Sequence, residues 1–450
     1  MNLHDNPSDG KDKLKRSLTV LDLAIYGLMF ISPTATFSGF GIVFDASDGM
    51  VPLVYVIGFV AMLFTAVSYT MMSREFPSAG SVYAYSKGSL GEGSGFLAGW
   101  AMVLDYLLAP ALIYIGAAVA VGSLVPQVPL WLWGIALLIG NTLINLRGIR
   151  SVARANNVIM LLQVAVLVLF FVMGTRAVVK GVGGAHLSVS PFFKGGQVSL
   201  GLVAGAVSLG VLNYMGFDAI STLAEEAKGG AAAVGRATMV CLFLTGTLFV
   251  AESYLASLFV LGRGAFPPGM PTYAAFYDIA HTIGGWFLES ATSMAGLFVS
   301  CIAAALAAQA AISRLLFSMA RDGKMPAALA HVSAKSQIPD RATIFVAIIT
   351  AGLIAVFSSR LTLLVSIVSF GALIGFLFLH ASVIAHFFWR KGSKRWLAHL
   401  VSPAIGFAII AYVIANMSVA ARIVGGCWFA FGAAWLIFRT RRGPIALPGQ

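Results

Sequence analysis

Apolar runs of about 20 residues recur along the whole chain, and they limit what it can fold into. A helix of that length crosses a hydrocarbon core of roughly 30 Å, so each run predicts a transmembrane helix. Of the 450 residues, 59% are hydrophobic and 10% are charged, whereas a soluble domain has a charged share of roughly 25%. No stretch is left for a soluble domain. The sequence therefore predicts an all-α integral membrane protein.

Hydropathy places twelve transmembrane helices along the chain. They lie at about 18–44, 52–72, 94–123, 129–146, 156–175, 199–224, 237–261, 287–313, 343–358, 362–388, 401–418 and 423–438. The even number puts both termini on one side, where the loops hold about 23 of the 29 Lys and Arg residues. Because positive loops favour the inside, we expect cytoplasmic tails at 1–17 and 439–450 in a multi-pass protein of the cell membrane. The net charge of +12 then reflects topology and contact with the lipid bilayer, and nucleic-acid binding is not expected.

Two of these spans contain residues that interrupt helices. The first reads "YGLMFISPTATFSGFGIVFDASDG" at 26–49, and the second reads "LGVLNYMGFDAISTLAEEAKGG" at 209–230. Paired interruptions five helices apart predict a five-plus-five inverted repeat with discontinuous helices 1 and 6. The repeats would cover 18–175 and 199–388, joined by an extracellular loop at 176–198. Helices 11 and 12 would follow at 389–438.

An interrupted helix inside a membrane predicts a polar cavity, because freed backbone groups must face protein or water. The freed carbonyl oxygens suit an ammonium group, and the freed N–H groups suit a carboxylate. A simple proline kink at Pro33 is the alternative. The candidate solute-binding residues of the first interruption are Ser32, Thr34, Ala35, Thr36 and Ser38.

Carboxyl groups at membrane depth are the second signal, because an ionised Asp there costs roughly 3 kcal/mol. Asp105 lies roughly 16 Å into its span, near the bilayer centre, with Tyr106 beside it. Asp218 directly follows the second interruption. Each Asp could bind an amine, carry a coupling proton or hold the scaffold through a partner.

Other residues near the interruptions complete the candidate site. Asn213, Tyr214 and Phe217 are candidate solute-binding residues, and Phe37 could close over a cationic solute. Glu225 is expected at the inner end of its span, in a gate or an ion pair.

Three further polar positions have a structural interpretation. For Glu252, toward the outer half of its span, a functional role and a structural role by snorkelling or pairing are equal alternatives. His380 and His386 are expected to be satisfied interior histidines.

Two loops are expected to carry structure of their own. Residues 312–339, with apolar spacing at Leu315, Met319 and Leu329, predict a short helix on the cytoplasmic face. Residues 263–285 exceed a simple connection and could form an outer lid.

Taken together, several motifs resemble the amino acid/polyamine/organocation transporter superfamily over nearly the whole chain. They are the broken first span, "FPSAGSVYAY" at 76–85, "NYMGFDAISTLAEE" at 213–226 and "SRLLFSMARDGKMP" at 313–326. Within it, "FGIVFDASDGMVP" at 40–52, "GWAMVLDYLLAP" at 99–110 and "SFGALIGFLFLHASVIAHFF" at 369–388 are most similar to bacterial putrescine importers. The resemblance implies a LeuT-like twelve-helix fold, alternating access and proton coupling. It places Tyr106 as a solute-site tyrosine and Asp218 as a gating or proton-linked carboxylate.

One position departs from that pattern. The importers tend to carry an aspartate in the first-span break, where this chain has Ser38. Import of putrescine or a related polyamine with a coupled proton is therefore one expectation, and uptake of an amino acid is the other. A channel or a sensor is a lesser alternative.

An enzyme is not expected, because the sequence has no HExxH or GxSxG motif and no Cys/His set. Cys241, Cys301 and Cys427 lie in separate spans without metal-ligand spacing. We expect no catalytic residues, no metal ligands and no cofactor, and the sequence does not predict an oligomeric state.

Overall fold

The computed structural model describes residues 16–122, 127–194, 200–267, 270–358, 361–417 and 419–441. Most of the predicted terminal tails, and part of the predicted loop 176–198, therefore lie outside the described residues. Within them the chain is helical, and its only strand-like contact is a single parallel bridge between Leu18 and Ala227.

Fifteen α-helices make up the described chain. They are α1 Val20–Ile31, α2 Ala35–Ala46, α3 Val51–Glu75, α4 Val82–Leu90, α5 Glu92–Gly122, α6 Leu130–Leu146, α7 Ile149–Val179, α8 Leu200–Asn213, α9 Gly230–Ser257, α10 Met270–Ser293, α11 Ser300–Arg321, α12 Asp340–Phe357, α13 Leu361–Val383, α14 Ser402–Ala415 and α15 Val419–Arg441. Short 3-10 helices lie at Val182–Gly184, Phe217–Leu223 and Ala327–Ala330, and π-helical segments lie at Met294–Val299, Ile384–Arg390 and Leu397–Val401.

Ten helical segments of the described chain are long and apolar enough to cross a membrane. They are Val20–Phe37, Val51–Glu75, Glu92–Ala118, Ser151–Val179, Ala232–Ser257, Ile302–Arg321, Asp340–Phe357, Val368–Arg390, Leu397–Ala415 and Val419–Phe438. The apolar helix α6 has 17 residues and falls short of that length. The segment from α8 to Leu223 is interrupted. These two account for the difference from twelve, which stays a prediction together with the inverted repeat.

Helix α11 forms the centre of the bundle. In its most apolar stretch, 94% of the residues are buried, whereas in the corresponding stretches that contain α14 and α15 the buried shares are 22% and 17%. Small side chains dominate the α11 sequence "CIAAALAAQAAISR", so neighbouring helices can approach it closely. The outer helices instead expose large apolar side chains such as Ile348 and Phe431, as a lipid-facing surface requires.

One expectation about loops is wrong, and a second stays a prediction. Residues 312–321 belong to α11, and Leu315 and Met319 are buried in the core. Only Ala327–Ala330 forms a short helix there. Most of 263–285 is helical, because α10 begins at Met270 and has non-helical backbone angles only at Gly284 and Gly285. The outer lid expected of this segment stays a prediction.

Candidate functional site

The first interruption separates α1 from α2 by three residues. Helix α1 begins with a capping box between Thr19 and Asp22 and ends at Ile31. Ser32 then adopts a φ of +72°, a left-handed conformation that a non-glycine residue rarely takes, and Pro33 follows it. Helix α2 begins at Ala35, whose N–H donates to the Ser32 carbonyl oxygen at 3.1 Å. The interruption is therefore a real break in the helix and not a bend within it.

The second interruption has the same character. Helix α8 ends at Asn213, a turn covers 214–216, and a 3-10 helix starts at Phe217. Gly216 has a φ of +121°, and its N–H donates to Asp218 Oδ1 at 3.1 Å. The carboxyl group of Asp218 thus satisfies a backbone donor that the break releases.

The two breaks touch each other. A Cβ atom added to Gly216 would lie 2.6 Å from the Phe30 side chain and 3.3 Å from the Ile31 nitrogen. The turn of the second break therefore packs directly against the last residues of α1. This close approach requires glycine, because any side chain would overlap Phe30.

Tyr106 and Asp218 join α5 to the second break. The Tyr106 hydroxyl donates a hydrogen bond to Asp218 Oδ2, and both side chains are buried. The Tyr106 ring also lies 6.0 Å from the Phe30 ring at the end of α1. One tyrosine on α5 therefore contacts a residue from each interrupted segment.

Asp105 is buried beside this pair in the middle of the 31-residue helix α5. The carboxyl groups of Asp105 and Asp218 interact electrostatically. Across the helix interface, a Cβ on Gly371 of α13 would lie 2.4 Å from the Ala101 carbonyl oxygen and 3.2 Å from Asp105 Cβ. Among the described residues, none donates a hydrogen bond or forms an ion pair with the Asp105 carboxyl group.

The predicted aromatic residues divide between two places. The Phe217 ring centroid lies 5.9 Å from that of Tyr69 and 6.4 Å from that of Phe376, next to the hydrogen-bonded Tyr106 and Asp218. Phe37 instead stacks on Phe276 of α10, with ring centroids 4.1 Å apart. Tyr214 donates to the Tyr55 carbonyl oxygen at 2.9 Å, so its hydroxyl is already occupied in this conformation.

The hydroxyl groups of the first break also have partners. Ser32 and Thr34 share a hydrogen bond of 3.3 Å, and Thr34 donates to the Ala295 carbonyl oxygen at 3.5 Å. Thr36 donates to Glu252 on α9. The backbone of Ser38 lies within α2, and its side chain lies outside what the structure describes. Asn213 also lies close to α2, because a Cβ on Gly39 would be 3.8 Å from Asn213 Oδ1.

Glu225 pairs with Arg321 just beyond the second break. Arg321 Nη2 donates to Glu225 Oε1 at 2.7 Å, and the Ala79 N–H donates to the same oxygen at 3.1 Å. Burial raises the pKa of the Glu225 carboxyl group, but the Arg321 hydrogen bonds and charge outweigh it and hold this pKa below its usual value. Glu225 is therefore in the ion pair that was one of its two expected roles.

Sequence reasoning missed a second ion pair next to Glu225. Arg314 of α11 contacts the Glu226 carboxylate through two nitrogens, and both side chains are buried. The Glu226 carbonyl oxygen accepts from the N–H groups of Ser17 and Leu18, so the segment before α1 is held at the same place. Arg314 directly follows the predicted span 287–313, and its position beside the membrane was the sequence signal that could have indicated an ion pair.

A group of charged residues continues this network towards α4. Asp322 accepts from the Tyr83 hydroxyl and from Lys87 Nζ, each at 2.7 Å. A cavity of about 430 Å³ lies beside them and is lined by Glu75, Lys87 and Glu92 among others. Together with Arg314 and Glu225, these contacts hold segments 76–85 and 313–326 against the second break.

The three remaining polar residues are placed as follows. His380 is buried on α13 and makes hydrogen bonds with Ser68 at 3.0 Å and Thr65 at 3.3 Å. His386 lies 3.3 Å from Glu75 Oε2. Glu252 is fully buried and accepts a hydrogen bond from Thr36, so of its two expected structural roles the structure shows pairing and not snorkelling.

Comparison with known proteins agrees with these features. A family model described as amino acid permease matches residues 23–444. The chain belongs to this family. The low-affinity putrescine importer PlaP of Escherichia coli strain K12 is 32% identical over 447 residues, which cover 98% of this chain and 97% of PlaP.

More distant relatives of this permease differ in the solutes for which they are named. The branched-chain amino acid permease BcaP of Lactococcus lactis is 26% identical, covering 91% of this chain and 89% of BcaP. The methylthioribose transporter of Bacillus subtilis is 27% identical, covering 94% of this chain and 90% of that protein. This chain is therefore a multi-pass membrane permease and not an enzyme.

Proposed function

We propose that this permease is a secondary active transporter that imports a small amine-bearing solute, putrescine or a related polyamine, by proton symport and alternating access. The observation that carries the proposal is the Asp105 and Asp218 pair beside two unwound helix segments. Both carboxyl groups are buried, and no Lys, Arg or His of the described chain pairs with either. Two buried acids in one place must either hold protons or receive positive charge from elsewhere, and an amine supplies that charge.

A diamine fits the energetics of inward transport. Two positive charges that cross a membrane potential of 100 mV, negative inside, gain roughly 4.6 kcal/mol before any ion is coupled. The site for such a solute needs two acceptors, and Asp105 and Asp218 provide them. Tyr106 and Phe217 would add aromatic faces for the ammonium groups. The similarity to PlaP supports the same solute class.

An amino acid is the second candidate, and a specific feature of the first break favours it. Helix α2 begins at Ala35, so the positive end of its dipole faces the interruption and suits the carboxylate of a zwitterion. Ser38 also removes the acid that a second ammonium group would use. The relative BcaP is named as an amino acid permease.

The proposal includes the architecture of such a carrier. The twelve transmembrane helices form an inverted five-plus-five repeat over 18–175 and 199–388, the termini are cytoplasmic, and the two breaks belong to discontinuous helices 1 and 6. Ser32, Thr34, Ala35, Thr36, Asn213 and Tyr214 then line the solute path as the carrier opens. Phe37 and Glu225 act as gates on opposite sides of that path, and Asp218 is a gating or proton-linked carboxylate.

Uptake into proteoliposomes tests this function. The purified permease is reconstituted, and labelled putrescine uptake is followed with and without an imposed inward proton gradient. We expect the gradient to stimulate uptake, and excess unlabelled putrescine to compete. Competition by an amino acid alone would select the second candidate, and uptake that ignores the pH gradient would contradict proton symport.

A further inference from the structure

Glu252 is a buried carboxyl group that the proposed solute site does not use. It lies on α9, five residues before Ser257, and its side chain is fully buried. Thr36, on the first turn of α2 directly after the first break, donates a hydrogen bond to Glu252 Oε2. No group of the described chain makes a hydrogen bond with the other oxygen, Oε1.

The surroundings of Glu252 contain no positive charge among the described residues. On α3, the Tyr55 phenol interacts electrostatically with it, and the Tyr55 hydroxyl has no hydrogen-bond partner in the described chain. The 3-10 helix Phe217–Leu223 contributes Asp218, which accepts from Tyr106 and also interacts electrostatically with Cys241 of α9. Cys241 and Glu252 are about 16 Å apart along that helix.

The other elements packed against α9 also leave Glu252 without a charged partner. On α1, Tyr26 interacts with Arg314 and Glu226. On α10, Asp278 is exposed and Glu289 pairs with His281. No described charged residue of α7 forms an ion pair with Glu252, and Thr36 is its neighbour from α2.

This environment favours the neutral carboxylic acid. An ionised carboxylate with no cation and one unpaired oxygen is strongly destabilised in a buried site, whereas the neutral acid is not. Ionisation would require water at Oε1, and water can reach it only if a packed element moves away. Thr36 makes α2 the element whose position responds directly to the carboxyl group.

We propose that Glu252 is a proton-binding site of the transport cycle and that Thr36 links its protonation to the position of α2. This inference rests on the proposed function as a carrier. A proton passes from water to the carboxylate when α2 is displaced on one side of the membrane, and the neutral acid lets α2 pack as observed. The proton returns to water on the other side, so no other reactant is needed.

The separation from Asp218 gives this arrangement a physical advantage. A cationic solute competes with protons for Asp105 and Asp218, so a proton held by either acid has to leave when the solute binds. A separate acid binds the proton without competing with the solute. Proton and solute can then cross in the same step.

The test compares Glu252→Gln with Glu289→Gln in proteoliposomes. Glu289 is a matched control because its carboxyl group is partly exposed on α10, where it pairs with His281. Labelled putrescine counterflow measures solute exchange without net proton movement, and accumulation under an imposed proton gradient measures coupling. We expect Glu252→Gln to keep counterflow within about twofold and to lose accumulation above equilibrium. The control should keep both. Full gradient-driven accumulation in Glu252→Gln would overturn the proposal.

Replacing Na⁺ with choline at fixed pH separates a proton site from a metal-cation site. Accumulation should not change in the wild type. A requirement for Na⁺ that Glu252→Gln removes would overturn proton binding at this residue.

Infrared difference spectroscopy gives a readout that does not depend on transport. The C=O stretch of a protonated carboxyl group should be weaker in Glu252→Gln than in the wild type or Glu289→Gln at neutral pH. Bands of equal strength in the wild type and both variants would overturn proton binding at Glu252, whatever the solute is. This measurement can therefore fail while the proposed transport function stands.

Two variants of Thr36 address the possibility that Glu252→Gln does not fold. Thr36→Ser keeps the hydroxyl group and should keep the pH midpoint of uptake, whereas Thr36→Val removes the hydrogen bond and should shift it. Equal midpoints would contradict the link to α2.

Discussion

Arg314 and Glu226 form an ion pair inside the protein, with side-chain exposures of 4% and 0%. Arg314 Nη1 also donates to the Ala310 carbonyl oxygen at 2.8 Å, so the guanidinium group is anchored to its own helix. The pair therefore fixes the segment after the second break to the central helix α11, and it does so where the Ser17 and Leu18 backbone also binds.

Removal of Arg314 should strongly destabilise the protein. In Arg314→Met the Glu226 carboxylate stays buried without a partner, and breaking such a pair costs about 3–5 kcal/mol. Thermal unfolding in detergent measures the effect. Arg321→Met, which removes a partly exposed partner of Glu225, is the control and should cost about 1 kcal/mol or less.

The double variant Arg314→Met with Glu226→Gln distinguishes the effect of the unpaired charge from the effect of lost packing. It removes both charges, so it should recover part of the stability that Arg314→Met loses. A double variant no more stable than the single one would show that packing of the Arg314 stem, and not the unpaired charge, explains the loss.

The Glu225 ion pair predicts a pH dependence of stability. Its pKa in the folded protein is lowered, so its contribution is fully present above the unfolded pKa of about 4.3 and is lost as the pH falls through the lower folded value. The free energy of unfolding of the wild type should therefore fall below pH of about 4.3. Glu225→Gln should show a shallower fall over the same pH range, measured by urea unfolding. An identical slope in both proteins would contradict the assignment.

The sequence predicted both breaks and most of the residues around them because their signals are local. Pro33 and Gly216 stand within apolar runs, and Asp105 and Asp218 are conspicuous as acids at membrane depth. Arg314 and Thr36 were harder to assign, since their roles depend on partners 88 and 216 positions away along the chain. Helix α10 was missed for another reason. Its start lies within the segment "FPPGMP" at 266–271, whose Pro and Gly residues are typical of a loop.

Neutralisation of Asp105 should separate the two solute classes. Asp105→Asn removes one of two acceptors, and a charge-assisted hydrogen bond contributes about 1.5–3 kcal/mol, so putrescine affinity should fall by about 10- to 150-fold. Amino acid binding, if it occurs, should change little. Competition against labelled putrescine in proteoliposomes measures both effects, with the exposed Asp278→Asn as the control. Undiminished putrescine uptake by well-expressed Asp105→Asn would contradict the assigned role.

Tyr106→Phe tests the hydrogen bond that joins α5 to the second break. The ring and its contact with Phe30 are kept, while Asp218 loses one of two donors and retains the Gly216 N–H. We expect a several-fold rise in the KM for putrescine with little change in thermal stability, because a single buried hydrogen bond contributes about 1 kcal/mol. Tyr114→Phe is the control, since it removes another buried hydroxyl group from the same helix at a distance of about two turns from Tyr106. Unchanged transport by Tyr106→Phe would assign the bond to folding alone.

Gly216→Ala should damage the contact between the two breaks. The φ of +121° at Gly216 is unfavourable for alanine, and the added Cβ would lie 2.6 Å from the Phe30 side chain. Strained backbone of this kind costs about 1–3 kcal/mol. Gly205→Ala on α8 is a matched control, because a Cβ there meets no described atom within 4 Å.

The combination Gly216→Ala with Phe30→Ala separates the two causes of the loss. If the overlap with Phe30 dominates, the smaller side chain should restore solute affinity in the double variant relative to Gly216→Ala, measured by binding to the purified permease. If backbone strain dominates, the double variant should remain impaired. Wild-type affinity and stability in Gly216→Ala itself would show that the breaks do not depend on this contact, and the common site built from them would have to be abandoned.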